Sequence, residues 1–235
     1  MTTTYRVEVA IFAIAFTVFG LVALALVWSG DWAYGALANL NGVRSTSFVL
    51  PSSAFDSRPV ETPIDLPTAI SWHHAWATYV TGLSAIPAIS WGLPVFSQDE
   101  EAHMADVRAV FRGAEYAAAL ALFVLVFRIG RARRRGDALR LVRAGSLIAA
   151  GIVGLIGIAA AVAFDPLFLL FHEVFFPQGN FLFAPDSNLI RLYPEWYWQG
   201  VTAGVGLSFI AVAVLVAGAA HRALRRVSNT YTRAA

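Results

Sequence analysis

The sequence predicts an all-α membrane protein with four transmembrane helices. Of its 235 residues, 58% are hydrophobic and only 14% are charged, whereas a soluble domain carries about 25% charged residues. Four apolar runs are each close to the roughly 20 residues that a helix needs to cross a bilayer. Cysteine is absent, which excludes disulfides, thiolate nucleophiles, Cys-ligated zinc and lipidation on cysteine.

The four predicted spans define the domain organisation. The first run contains Ala23-Leu24-Ala25, which is typical of a signal-peptide cleavage site, but the run continues to Trp28 and therefore favours a retained helix. Three later runs also have the length and apolar character of spans. The predicted spans cover residues 1–28, 113–129, 144–164 and 198–220.

Arginine placement predicts the topology. The loop 130–143 and the tail 221–235 are rich in arginine, and the chain contains no lysine. By the positive-inside rule these two segments are cytoplasmic, so both termini are expected inside the cell. The segments 29–112 and 165–197 hold most of the acidic residues and are expected outside.

The first outer segment, 29–112, is too long to be a bare connector and is predicted to form an extracytoplasmic cap. Residues 39–67 contain four prolines among polar residues, which is typical of irregular or short extended chain. Ser97 is followed three positions later by Glu100, the pattern of a capping box. A helix is therefore predicted from Gln98 to about residue 112, continuing into the second span.

His103 lies on the apolar stripe of this helix. It shares the stripe with Val107, Val110 and Ala114, at intervals of four, seven and eleven residues. Asp106 is close to one edge of the stripe. The spacing is compatible with a functional imidazole and equally with a structural histidine that is satisfied by a carboxylate.

His172 is placed in an unusually apolar segment. Asp165-Pro166 is typical of an N-cap followed by proline at the first helical position, which predicts a short interfacial helix over residues 166–176. Within it, only His172 and Glu173 interrupt the apolar residues. Because an unpaired buried charge is costly, this pair needs a partner or must stay neutral.

Several common chemistries are not supported. A zinc peptidase motif fails because Phe176 stands where H-E-x-x-H needs its second histidine. His73 and His74 lack supporting carboxylates at metal-site spacing, so no metal and no cofactor are predicted. A net charge of +2 gives no indication of nucleic-acid binding. Two interfacial imidazoles could instead divide general-base and general-acid work on a lipid ester.

Two blocks of the sequence resemble the bacterial lipoprotein intramolecular transacylase (Lit) family. The first extends from Phe96-Ser97 through His103-Met104-Ala105-Asp106-Val107. The second runs from Phe171-His172-Glu173-Val174-Phe175-Phe176 through Gly179-Asn180-Phe181 and Asp186 to Leu189-Ile190 and Leu192-Tyr193-Pro194-Glu195. The family's four-span layout with an outer cap is also similar to the layout predicted here.

The resemblance implies an acyltransferase that moves an acyl chain from the sn-2 ester of a diacylglyceryl lipoprotein to the α-amine of its N-terminal cysteine. The product is a lyso-form lipoprotein. The family's two essential histidines match His103 and His172, which are the expected catalytic residues. The expected supporting residues, which bind substrate, orient an imidazole or steady an oxyanion, are Asp106, Glu173, Asn180, Asp186, Arg191, Tyr193 and Glu195.

The resemblance also implies a diacylated lipoprotein and membrane lipids as partners. The expected location is the bacterial plasma membrane, with the site on its extracytoplasmic face. Two alternatives stay open at this point. One is a non-catalytic membrane protein that binds a lipid or a protein partner. The other is an acyltransferase or lipase that acts on bulk phospholipid.

Overall fold

The computed structural model describes residues 3–53, 56–84 and 95–233. Residues 85–94, which belong to the predicted first outer segment, lie outside the described residues. The described elements are α1 (Thr3–Trp28), α2 (Asp31–Leu40), β1 (Ser45–Ser53), β2 (Asp56–Asp65), α3 (Leu66–Val80), α4 (Gln98–Arg134), α5 (Ala138–Val162), α6 (Phe164–Phe175), α7 (Asn188–Leu192) and α8 (Glu195–Arg233).

The chain divides into two compact units. One, called the helical unit, comprises Met1–Ala25, Ala114–Val162 and Ala203–Ala235. The other, called the mixed unit, comprises Leu26–Gly113 and Ala163–Thr202. It contains the hairpin, the short helices and the first turns of α4 and α8.

Four of the described helices are long and apolar enough to cross a membrane, as the sequence predicts. They are α1, α4, α5 and the part of α8 up to Val227, and they contain 26, 37, 25 and 33 residues. At 1.5 Å per residue, even α5 is about 38 Å long, which exceeds the hydrocarbon thickness of about 30 Å. Within the helical unit, close packing uses glycine: a Cβ at Gly145 would approach a ring carbon of Phe12 to 2.3 Å.

The mixed unit contains an antiparallel hairpin, which the all-α prediction omitted. Strands β1 and β2 pair with Ser45 opposite Asp65 and Pro51 opposite Pro59. Alternate residues of the strands face the core, so Phe48 and Ile64 are almost fully buried.

The prolines of this segment are compatible with strands because of their register. Pro51, Pro59 and Pro63 belong to the same alternating set of pairs as Val49. The main-chain N–H of Val49 points away from β2 and donates to Asn188. This set is therefore the non-hydrogen-bonded one, in which no N–H is needed for the ladder. Proline content alone suggested irregular or short extended chain; the strands correspond to the second alternative, and only the register shows why they pair.

Helix α4 begins as predicted. The Ser97 N–H donates to Oε2 of Glu100 at 2.7 Å, and the Glu100 N–H donates to Oγ of Ser97 at 3.2 Å, which is the reciprocal capping box. The helix then continues without a break to Arg134. His103 is therefore placed one turn inside a rigid helix rather than in a loop.

Helix α6 begins two residues earlier than predicted. Its N-cap is Ala163, and Asp165 lies in the first turn without a capping hydrogen bond. The prediction that Asp165 is the N-cap was wrong. A carboxylate in the first turn is still favourable because it faces the positive end of the helix dipole, and Pro166 is tolerated there because first-turn N–H groups have no helical partner.

Candidate active site

The buried carboxylate of Glu100 fixes the chain around His103. Besides the Ser97 N–H, it accepts hydrogen bonds from the Ser187 hydroxyl at 2.5 Å and the Leu189 N–H at 2.8 Å. Glu100 is only 4% exposed, and hydrogen bonds to a charged group contribute more than neutral ones. The start of α4 is therefore tied to the start of α7. The sequence predicts the capping box but gives no sign of this second use of Glu100.

His103 is buried, as its position on the apolar stripe predicts. Its ring is 7% exposed and is surrounded by aromatic side chains. The ring centroids of Phe176 and Phe183 lie 4.8 and 5.5 Å from that of His103. These contacts fix the plane of the imidazole.

His172 projects from α6 in a defined tautomer. Its Nδ1 lies 2.8 Å from the carbonyl oxygen of Phe168, one turn earlier. A carbonyl can only accept, so Nδ1 carries the proton and Nε2 has a free lone pair. Burial lowers the pKa of His172, although the Phe168 carbonyl opposes this effect. The neutral ring with a free Nε2 is the form that a general base requires.

The two imidazoles converge. Their ring centroids are 6.3 Å apart and their planes differ by 19°. Phe176 contacts both rings, since its centroid is also 5.5 Å from that of His172. This spacing allows one substrate group to lie within hydrogen-bond reach of both histidines. A failure to converge would have contradicted acid–base chemistry shared between them.

A turn after α6 brings an amide to His103. Gly179 has a φ of 80°, a conformation that favours glycine, and it precedes Asn180. The Nδ2 group of Asn180 donates to Oδ2 of Asp106 at 2.5 Å, and Nε2 of Gln178 donates to the same oxygen at 2.9 Å. Asp106 therefore holds the turn against α4. Gln178 was not among the predicted supporting residues.

The orientation of the Asn180 amide follows from Asp106. A carboxylate only accepts, so the NH₂ group faces Asp106 and Oδ1 is directed away. The Asn180 side chain also lies beside the His103 ring. Both Oδ1 of Asn180 and Nδ1 of His103 are buried without a hydrogen bond of regular geometry in the described chain. These two atoms are complementary, since an imidazole N–H donates and an amide oxygen accepts.

Two of the predicted supporting residues contact other parts of the mixed unit. Nη1 of Arg191 donates to the carbonyl and the hydroxyl of Ser47 and to Glu61, all within 2.9 Å. The hydroxyl of Tyr193 donates to Nδ1 of His73 at 3.3 Å. These bonds connect Arg191 to the hairpin and Tyr193 to α3.

The remaining predicted acids are exposed to solvent. Glu173 and Asp186 lie on the surface. Glu195 is also exposed and accepts a hydrogen bond from Gln199 in the first turn of α8. No contact in the described structure links these three carboxylates to either imidazole.

His73 and His74 point to different surroundings. His73 is almost fully buried, and its Nε2 donates to the Ser29 carbonyl at 3.1 Å. Burial lowers the pKa of His73 to about 4, so the ring is neutral near pH 7. His74 is exposed and its Nδ1 pairs with Asp31 at 2.8 Å. Among the described residues, no group of three or more potential ligands could hold a metal ion.

Comparison with solved structures identifies the fold. The membrane-integral lipoprotein intramolecular transacylase Lit from Bacillus cereus matches with a TM-score of 0.66 and 16% identity, over 100% of both chains. A variant of that protein with one histidine replaced by arginine matches at 0.65 and 17%, over 97% of this chain and 95% of the other. At this identity the likeness shows a shared fold. Among curated protein sequences, none matches this chain.

A family model supplies the second comparison. The model described as lipoprotein intramolecular transacylase Lit matches residues 79–198, a segment that includes both histidines and the whole of the Asp106–Asn180 contact. The match covers just over half of the 235 residues. The chain therefore belongs to the lipoprotein intramolecular transacylase (Lit) family, a family of acyltransferases.

Proposed function

We propose that this protein transfers an acyl chain from the sn-2 ester of a diacylglyceryl lipoprotein to the α-amine of that lipoprotein's N-terminal cysteine. The observation that carries the proposal is the convergence of His103 and His172, with ring centroids 6.3 Å apart. Family membership supports the acyl-transfer class, and solved histidine variants of the Bacillus cereus protein are consistent with histidine chemistry.

His172 is proposed as the general base. Its Nδ1–H is occupied by the Phe168 carbonyl, so Nε2 can take a proton from the substrate amine as its nitrogen attacks the ester carbonyl. A tetrahedral intermediate forms as the new C–N bond is made. Burial lowers the pKa of His172, which keeps the ring unprotonated before the attack.

His103 is proposed as the general acid. The proton that His172 takes from the amine passes to Nε2 of His103, and His103 donates it to the leaving oxygen as the C–O bond to glycerol breaks. Both rings are neutral again at the end, so the reaction closes without a net proton change. Amine and ester belong to one substrate molecule, so the enzyme need only hold them in near-attack geometry.

Asn180 and Asp106 are proposed to position His103. With its NH₂ group held by Asp106, Asn180 presents Oδ1 as an acceptor for Nδ1–H of His103. The hydrogen bond fixes the His103 ring so that its Nε2 faces the substrate. In other enzymes, a carboxylate or a carboxamide that accepts from Nδ1–H orients the catalytic histidine in the same way. The alternative role for Asn180, donation to an oxyanion, would require the bond to Asp106 to open. Donation by Arg191 would likewise compete with Ser47 and Glu61.

The membrane supplies the lipid part of the site. Helix α6 has no buried residue and exposes large apolar side chains on either side of His172, including Leu170, Phe171, Val174 and Phe175. Such a helix suits the membrane interface, where the ester of a diacylglyceryl group lies. The arginine distribution supports an extracytoplasmic site in the bacterial plasma membrane.

The decisive experiment is mass spectrometry of the N-terminal peptide of a reporter lipoprotein. Transfer predicts an unchanged total mass with fragments that show an N-acyl group and a monoacyl glyceryl group. Replacement of His103 or His172 by alanine should abolish these fragments, whereas His74→Ala, a matched change at an exposed histidine of the same unit, should leave them intact.

The same experiment separates the alternatives. Unaltered peptides with the intact protein contradict the proposed transfer, and they favour a non-catalytic lipid-binding or partner-binding role. N-acylation accompanied by a gain of one acyl chain would instead indicate a donor phospholipid. Release of fatty acid from phospholipid, measured in the lipid extract of the same samples, would indicate a lipase.

A further inference from the structure

A cavity lies in the helical unit, between the start of α1 and the arginine-rich end of α4. Its volume is about 510 Å³. The polar part of its wall is formed by Thr3 and Thr4 together with Arg128 and Arg131. The apolar part is formed by Val7, Ile11 and Phe127. The proposed reaction uses none of these residues.

One buried acid also borders this cavity, and its charge is already paired. Glu8 is 5% exposed. Arg135 binds both of its carboxylate oxygens, one of them at 2.7 Å, and Nε of Arg131 lies 3.7 Å from the nearer oxygen. Arg135 pairs with Asp137 as well as with Glu8. Three guanidiniums, those of Arg128, Arg131 and Arg135, therefore face two carboxylates, and the cavity keeps a net positive charge. An anionic group is the complementary ligand.

The apolar wall restricts the kind of anion. Val7 and Phe127 are each more than half exposed, and they lie in two helices that are long and apolar enough to cross a membrane. An ion such as inorganic phosphate would not contact this apolar surface. A phospholipid would contact both parts of the wall, because its tails can lie along the helices while its phosphate contacts the arginines.

We infer that this cavity binds an anionic phospholipid, with its phosphate against Arg128 and Arg131 and a tail along Val7, Ile11 and Phe127. The lipid belongs to the leaflet that borders the arginine-rich end of the helices. Anionic lipids are the membrane component that juxtamembrane arginines attract, at about fivefold in affinity for each residue. The threonine hydroxyls are suited to hydrogen bonds with phosphate or glycerol oxygens. This inference does not depend on the proposed acyl transfer.

The test uses the full-length protein in neutral detergent, with bound lipid counted by native mass spectrometry. Dioleoyl phosphatidylglycerol should remain bound under conditions that remove dioleoyl phosphatidylcholine. The Arg128→Gln/Arg131→Gln variant should bind phosphatidylglycerol about 25-fold more weakly. Glycerol phosphate, which has the headgroup charge without tails, should fail to compete at equal concentration.

A matched control removes the same charge from the same helix. Arg133 and Arg134 are exposed and do not line the cavity, so Arg133→Gln/Arg134→Gln should retain most of the affinity. Equal losses in the two double variants would overturn the site in favour of diffuse surface charge. Equal binding of phosphatidylcholine would overturn the charge selectivity, and effective competition by glycerol phosphate would indicate a simple anion site.

Arg131 is also close to Glu8, so a further variant guards against loss of folding. Arg128→Gln leaves the pairing of Glu8 with Arg131 and Arg135 intact. It should weaken phosphatidylglycerol binding about fivefold while the thermal midpoint in lipid-free detergent stays unchanged. Undiminished binding in this folded variant contradicts the inference.

Discussion

The contact between Asp106 and Asn180 makes a quantitative prediction about positioning. If Asp106 acts only by holding the Asn180 amide, then Asp106→Ala, Asn180→Ala and the double variant should slow acyl transfer by similar factors. The hydrogen bond is charge-assisted, at 2.5 Å, and such bonds contribute about 1.5–3 kcal/mol. If that energy is expressed fully in the transition state, the rate falls by about 10-fold to 150-fold.

The assay is the rate of lyso-form production from a purified reporter lipoprotein, measured as a double-mutant cycle. When two residues act through the same interaction, the free-energy effects of their substitutions do not add in the double variant. Glu101→Ala, an exposed acid in the first turn of α4, controls for loss of carboxylate charge and should leave the rate nearly unchanged. The positioning role would be refuted if the rate loss in the double variant equalled the product of the two single losses, or if Asp106→Ala transferred acyl chains at the normal rate.

Three further predictions concern residues of the mixed unit. After the ionisation of the substrate α-amine, titrated separately, is divided out, the kcat/KM profile should have an acid limb below the ordinary histidine pKa of 6.5, because burial lowers the pKa of His172 and the base must be neutral; a remaining enzyme limb above pH 7 contradicts this assignment. The free energy of unfolding should fall by about 3 kcal/mol as the pH drops from about 6.5 to 4. The reason is that His73 is buried and neutral in the folded protein, with a pKa of about 4, and takes up a proton when the protein unfolds. Thermal melts of His73→Gln should show a smaller dependence of the melting temperature on pH. Glu100→Ala removes the acceptor of three hydrogen bonds and should cost on the order of 3 kcal/mol in unfolding free energy, whereas an unchanged denaturation midpoint would show that water replaces the carboxylate.

Some features of the fold were predictable because they depend on neighbouring residues. The four candidate spans follow from continuous apolar runs, and the start of α4 follows from the Ser97–Glu100 pair. The burial of His103 follows from helical periodicity. The hairpin was missed because a strand tolerates proline only where no N–H is needed for the ladder. Whether Pro51 and Pro59 occupy such positions depends on the register of the two strands, which the sequence does not show.

The site itself depends on contacts between distant segments. Nothing in the sequence places the rings of His103 and His172 together, and the resemblance to a family only implied that they act together. Asp106 was expected to orient an imidazole directly, but its described hydrogen bonds are to the amides of Gln178 and Asn180. By residue type, Arg191 and Asn180 were equally suitable to steady an oxyanion. Only their hydrogen-bond partners in the structure distinguish them: Arg191 contacts the hairpin, whereas Asn180 contacts Asp106 at the site.

The placement of His172 also links the chemistry to the membrane. Helix α6 buries no residue of its own. Its ring contacts with other segments involve Phe168, which packs on Trp198, Phe171, which packs on Phe176, and His172, which packs on His103, Phe176 and Phe181. A helix with such limited protein contacts and an exposed apolar surface gains its remaining stabilisation from lipid. The distance between the two imidazoles then depends on the bilayer as well as on the protein. Activity in detergent should therefore be lower than activity in a bilayer even when the helical unit stays folded, because the spans can be solvated by detergent while α6 loses the interface on which it lies.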